Sequence, residues 1–150
     1  MSEEPGPGRL LFTFVRHWSR RAASGDGSLA DQGRLMLVTE AVAALVDRDR
    51  PATVNAIADE IGIDQSGASR LIRTAVEASL LDMTVSTADA RGRHIDVTAL
   101  GRAALDDAHA WQEEVFRGLT RLWPPARRTA FQEAMSDLIA RSYELRDDPH

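Results

Sequence analysis

Residues 89–101 read Asp-Ala-Arg-Gly-Arg-His-Ile-Asp-Val-Thr-Ala-Leu-Gly, and this order restricts the fold more than any other stretch of the chain. Ile95 and Val97 alternate with polar neighbours, as Leu81, Met83 and Val85 do upstream, so both runs are predicted to be half-buried strands. Between them residues 87–93 are charged, poor in apolar side chains and contain Gly92, the composition of a turn. A helix is then predicted to start at Thr98. The chain must therefore place a charged hairpin directly ahead of a helix.

What precedes the hairpin has the rhythm of a helix-turn-helix. Val54, Ile57, Ala58 and Ile61 recur at the spacing of one helical face. Thr53 stands at the N-cap, where its hydroxyl can accept an otherwise unpaired backbone N–H. Gly62 follows the last apolar position, where a left-handed residue ends a helix at little cost. Asp64 is a second N-cap, and the helix after it has two opposed stripes. Ala68, Leu71, Ile72, Ala75 and Val76 face inward, while Ser66, Ser69, Arg70 and Arg73 face outward with Gln65 at the start. Short polar and basic side chains of this kind reach base edges and phosphates when a helix enters the major groove. An ordinary solvated helix face has the same look, and the hairpin is what separates the two readings. Asp89 lies two residues before Arg91, near enough to hold its guanidinium extended at the hairpin tip. An arginine aimed into a narrow minor groove meets enhanced negative potential. Arg93 adds a second charge there.

On Asp89-x-Arg91-Gly92 and Ile95-x-Val97-Thr98-x-x-Gly101, following a helix-turn-helix, the chain resembles the MarR family of winged-helix transcription factors over residues 52–101. The resemblance implies a mainly α fold with a small β-wing, in which a winged helix-turn-helix lobe is embedded in an interlocking helical dimerisation frame. It also implies roles: Arg91 as the minor-groove arginine, Asp89 as its orienting partner, and Ser69 and Arg70 as base- and phosphate-contacting positions. In that family the recognition helix usually ends in Gly, where this chain has Ser79. Serine accommodates a left-handed position less well, so this helix end is expected to be shaped differently.

The expected organisation is a flexible tail (1–8), N-terminal scaffold helices (9–50), the DNA-binding lobe (51–98) and C-terminal dimerisation helices (99–146). Leu10, Leu11, Phe14, Val15 and Trp18 form a short apolar stripe. A longer one runs through Leu100, Ala104, Ala108, Trp111, Val115, Leu119 and Leu122, with Pro124-Pro125 expected to stop that helix and start the next. Phe131, Ala134, Met135, Leu138, Ile139 and Ser142 share a face in the last helix. Terminal stripes this apolar need a covering surface. By the resemblance it is a second copy, with Leu10, Leu11, Leu119, Leu122, Phe131, Met135, Leu138 and Ile139 at the seam; packing within one chain is the alternative.

Composition narrows the chemistry. The chain has no cysteine, which removes disulfides, zinc–thiolate sites and thiol switches. All 18 basic residues are arginine, a usage that GC-rich coding explains. Net charge is −5, and residues 51–98 hold four arginines against seven acids, so non-specific affinity for DNA is expected to be modest. No Cys or Lys nucleophile, phosphate-binding glycine loop or G-x-S-x-G elbow is present, and no enzymatic role is expected. No metal site or cofactor is expected either, because the four histidines are widely separated. The N-terminus lacks a secretory signal and no apolar run is long enough for a bilayer, so a cytoplasmic location with no membrane partner is expected. Family members often bind small aromatic or phenolic effectors between the dimer helices and the DNA lobe. Phe14, His17, Trp18, Met36 and Trp111 are the candidates here. The expected function is regulation of transcription by a homodimer on pseudo-palindromic double-stranded DNA, as a ligand-responsive repressor. The alternative is a winged-helix protein-interaction module that does not bind DNA.

Overall fold

A computed structural model describes residues 4–23, 27–85 and 93–147. The chain divides into two units, Met1–Ala108 and His109–His150. In the first unit, α1 (Pro7–Ala23) opens on a proline, whose fixed φ suits a first helical turn. The helix therefore starts within the segment expected to be a tail. α2 (Gly27–Asp47) supplies Val38, Ala41, Val42 and Leu45 to the core.

The two helices of the helix-turn-helix end where their caps require. In α3 (Val54–Ile61), Thr53 is extended at φ −92° and its Oγ1 accepts from the Ala56 N–H at 3.1 Å. Gly62, at φ 79°, closes it with its N–H donating to the Ala58 carbonyl. In α4 (Gln65–Glu77), the Asp64 Oδ1 accepts from the Gly67 N–H at 3.2 Å. Ile57 from α3 and Ile72 and Ala75 from α4 then pack with the α2 residues in one apolar cluster.

β1 (Leu81–Val85) and β2 (Arg93–Val97) pair antiparallel, with Leu81 opposite Val97, Met83 opposite Ile95 and Val85 opposite Arg93. The Ile95 N–H donates to the Ala52 carbonyl at 3.0 Å, so the segment leading into α3 flanks the other edge of β2. Leu81 and Ile95 are buried, but the expected alternation fails further along β1, where Met83 is 38% and Val85 72% exposed. A two-stranded ribbon has core beneath it only near its base, so side chains nearer the tip point inward onto nothing.

The end of α4 corrects another expectation. Ser79 adopts the left-handed conformation itself, at φ 63°. Its N–H donates to the Val76 carbonyl and the Leu80 N–H to the Ala75 carbonyl, both at 2.9 Å. These are the two bonds of a Schellman ending, and Leu80 and Ala75, the positions that usually pack together there, are both buried. Burial of Leu80 and Leu81 fixes the chain path, and serine takes the strained conformation that glycine would have taken freely. α2 ends the same way on Asp49, at φ 54°, with the Arg50 N–H donating to the Leu45 carbonyl at 2.8 Å.

Thr98 joins this corner to α5 (Ala99–Leu119). Its Oγ1 lies 2.6 Å from the Ser79 carbonyl oxygen and 3.1 Å from that of Leu80, and accepts from the Gly101 N–H at 2.9 Å. Gly101 is buried, and a Cβ there would run into the Leu80 carbonyl oxygen and the Val97 side chain. The Thr98-x-x-Gly101 pattern is thus a close contact between the start of α5 and the α4–β1 corner.

In the second unit, α5 stops at Leu119, ahead of Pro124. Thr120 is buried and its Oγ1 donates back to the Phe116 carbonyl at 2.8 Å. Arg128 donates two hydrogen bonds, at 3.2 and 2.8 Å, to the Thr120 carbonyl oxygen, satisfying an acceptor that a longer helix would have used. Leu122, expected on the helical stripe, therefore falls in the following turn. Pro125 opens α6 (Pro125–Asp147). Phe116 stacks on Phe131 at 5.6 Å and Trp123 meets Phe131 edge-on at 5.6 Å, with the Arg127 guanidinium 4.4 Å above the Trp123 ring. This small aromatic core holds the α5–α6 corner.

Candidate DNA-binding surface

The outward face of α4 follows from what its inward face buries. Ala68, Ile72 and Ala75 are buried and Leu71 and Val76 pack against the core, which fixes the rotation of the helix. Gln65, Ser66, Arg70, Arg73 and Thr74 are then exposed, with Ser69 half-buried beside them. Among the described residues neither the Arg70 nor the Arg73 guanidinium has an ion-pair partner. Two permanent charges with fork-shaped donors therefore stand on one face of a helix held rigidly from behind. Small side chains at Ser66, Gly67 and Ser69 leave the N-terminal part of that face open to close approach.

Arg93 is exposed at the start of β2, opposite Val85. Asp89 and Arg91 lie outside the described residues. The two strands nevertheless bring the chain ends that flank them, Val85 and Arg93, side by side, as a wing requires.

Sequence spacing missed two features of this unit. Arg48, just past the end of α2, meets Glu60, in the last turn of α3, through two parallel bonds: Nη1 to Oε1 at 3.2 Å and Nη2 to Oε2 at 2.8 Å. The side chains are only 30% and 12% exposed. Thr74, exposed one turn after Arg70, was also missed; its Oγ1 donates to the Arg70 carbonyl at 3.0 Å. No short-range rule joins residues twelve apart across a loop, whereas Thr74 could have been found by continuing the outward stripe one more turn.

The other candidates are spread over several elements of the two units. Phe14, His17 and Trp18 cluster on α1, with Phe14 6.2 Å and His17 6.1 Å from Trp18 between ring centroids. Met36 is half-buried on α2, and Trp111 is exposed in the second unit. Leu10 and Leu11 on α1, Leu119 on α5, Leu122 in the turn, and Phe131, Leu138 and Ile139 on α6 are all exposed, with Met135 half-buried. No described residue of α6 is buried within the chain. Among the described residues no helix is long and apolar enough to cross a membrane.

No family model matches the sequence, and no curated protein does. Solved structures match it over nearly its whole length. A MarR family transcriptional regulator from Silicibacter pomeroyi aligns at a TM-score of 0.65 and 18% identity, covering 94% of this chain and 97% of its own. A MepR variant from S. aureus, bound to an oligodeoxyribonucleotide, aligns at 0.57 and 16%, covering 91% and 99%. BpsR of Bordetella bronchiseptica, whose DNA binding is regulated by 6-hydroxynicotinic acid, aligns at 0.57 and 21%, covering 87% and 96%. The fold is therefore the one these regulators share: mostly helical, with a two-stranded wing beside the helix-turn-helix.

Proposed function

We propose that this chain, which has the winged-helix fold of MarR-family regulators, is a cytoplasmic transcriptional regulator that binds double-stranded DNA as a homodimer. The observation that carries the reading is the pair of guanidinia, Arg70 and Arg73, on the exposed face of α4, with no ion-pair partner among the described residues. An ordinary surface helix in an acidic chain has no need of two such charges beside a wing. On this reading α4 enters the major groove, where Gln65, Ser66, Ser69 and Arg70 meet base edges and Arg73 meets phosphate. The wing follows the adjacent minor groove with Arg91, aimed by Asp89, and Arg93.

Two copies related by a two-fold axis present two such helices to half-sites about one helical turn apart, ~10 bp. The exposed apolar faces of α1 and α6, with Leu119 and Leu122, supply the seam between them. Repression relieved by a small aromatic or phenolic effector is the regulatory mode, with Phe14, His17, Trp18 and Met36 in the first unit, and Trp111 in the second, each a candidate contact. BpsR, with the same fold and a pyridine-carboxylic effector, supports that choice of ligand class. No catalytic step is assigned to the chain.

Two substitutions test the DNA reading on a duplex that the wild type enriches from a random pool. Arg73→Ala is expected to weaken all sequences alike and reduce the salt slope by about one. Arg70→Ala is expected instead to narrow the gap between the selected duplex and random DNA. Equal losses on every sequence would remove Arg70 from base reading. The acidic balance of residues 51–98 favours a second reading, a protein-interaction module. Failure of the wild type to enrich any duplex would decide for that module.

A further inference from the structure

We propose that the Arg48–Glu60 pair is a positioning device for the recognition helix, an inference that rests on the DNA-binding reading above. Its location is the first reason. Glu60 sits one residue before the end of α3, immediately ahead of the Gly62 turn and the Asp64 cap from which α4 starts. Arg48 sits at the end of α2, where Asp49 reverses the chain in a left-handed conformation. The pair thus grips the helix-turn-helix at the end of α3 from which α4 is launched, and ties that end to α2.

Its chemistry is the second reason. The packing of α2 on the helix-turn-helix is an apolar cluster in which Val38, Val42 and Leu45 meet Ile57, Ile72 and Ala75. Apolar packing resists separation strongly but discriminates weakly against small rotations and slides. A two-pronged guanidinium–carboxylate pair is directional, because both bonds must be kept in one plane. With Glu60 only 12% exposed, a rotation that broke one prong would cost a charge-assisted bond that water is poorly placed to replace. The pair therefore sets the angle at which α3 leaves α2, and through the fixed turn the angle at which α4 meets DNA. In a chain with few DNA-facing arginines, a small error in that angle misplaces Arg70 and Ser69 together.

The test uses the full chain and a duplex enriched by the wild type from a random pool, with random duplex as reference. Glu60→Gln keeps the shape of the acceptor without its charge, and Arg48→Lys keeps the charge without the fork. Each is expected to lower affinity for the selected duplex about tenfold at fixed salt. Affinity for random duplex and the salt slope should stay within twofold of wild type, and melting should show a fully folded protein at the assay temperature. The double exchange Arg48→Glu with Glu60→Arg is expected to recover most of the lost selectivity. A purely structural pair would lower the melting temperature and scale both affinities with the folded fraction, leaving their ratio unchanged. An unchanged ratio in both single variants, or an exchange that recovers nothing, overturns the inference. A wild type that enriches no duplex overturns the DNA reading instead, which separates the two failures.

Discussion

Ser79 offers a clean perturbation, because the strain there resides in one dihedral angle. At φ 63° a residue with a Cβ crowds its own carbonyl, at a cost of about 1–2 kcal/mol relative to glycine. Glycine in turn loses more backbone freedom on folding, about 0.5–1 kcal/mol. The difference predicts that Ser79→Gly stabilises the protein by about 0.5–1 kcal/mol. The hydrogen bonds at this corner use backbone groups of Ser79, its N–H to Val76 and its carbonyl oxygen to Thr98, so the substitution removes neither. Ser79→Ala should then be close to neutral, since alanine keeps the Cβ and the strain. Ser79→Val should destabilise, by more than about 1 kcal/mol, because a β-branched side chain tolerates the left-handed region worst.

For a chain of this size about 1 kcal/mol moves the melting temperature by about 2–4 °C. Melts of the three variants at one protein concentration, which must be fixed if the protein associates, give the order Gly above Ser and Ala, and Val lowest. DNA affinity should be unaffected in Ser79→Gly, because the path of the chain is already the one glycine prefers. A Ser79→Gly variant that melts below wild type would refute the reasoning: it would mean that the serine side chain supports the corner by more than its backbone conformation costs.

Other substitutions probe other links. Gly101→Ala should destabilise by about 1–3 kcal/mol or more, since its Cβ meets backbone at Leu80 that cannot swing aside; thermal melting checks this, and a neutral result would mean that α5 can shift freely on the corner. Arg91→Ala should weaken the selected duplex by about 1–3 kcal/mol with the melting temperature unchanged, and undiminished affinity in a titration at fixed salt would take the wing out of the mechanism. Leu138→Asp with Ile139→Asp should abolish the proposed dimer while leaving the chain folded, because both side chains are about half exposed within one chain, 49% and 51%, and only a second copy would force their charges out of water. Sedimentation showing a folded dimer of that variant would place the interface elsewhere.

What could be read from the sequence is what local chemistry dictates. The caps of α3 and α4, the Gly62 ending, the inward face Ala68–Ile72–Ala75 and the strands flanking the wing all follow from residue type and spacing within one or two turns. The end of α5 could not be read that way. It is set by buried Thr120, by Arg128 reaching back to the Thr120 carbonyl, and by the Phe116–Trp123–Phe131 contact, all of which depend on the following helix having folded back. Sequence points to Pro124 as the stop because it shows breakers and hides tertiary acceptors. Ser79 misled for a related reason: propensity says which residue a left-handed site prefers, whereas burial of Leu80 and Leu81 decides that the site exists. Arg48 and Glu60, on different elements with a loop between them, carry no spacing signal at all.

The charge balance links these structural details to function. A DNA-binding protein rich in basic surface gains affinity from every phosphate it approaches, and so tolerates loose placement of any one side chain. This chain has a net charge of −5 and only four arginines in residues 51–98, so general attraction to DNA would contribute little. On the proposed DNA-binding reading, selectivity would come from holding those few groups where the grooves require them. The specific interactions of the same unit would serve that placement. They are a bidentate pair at the end of α3, a left-handed turn on either side of the helix-turn-helix, and Thr98 bonded to both Ser79 and Leu80 beneath the wing. The selected-to-random affinity ratio should accordingly be high and absolute affinity for random DNA low. Positioning residues far from DNA should then alter the ratio more than the outlying surface arginines do.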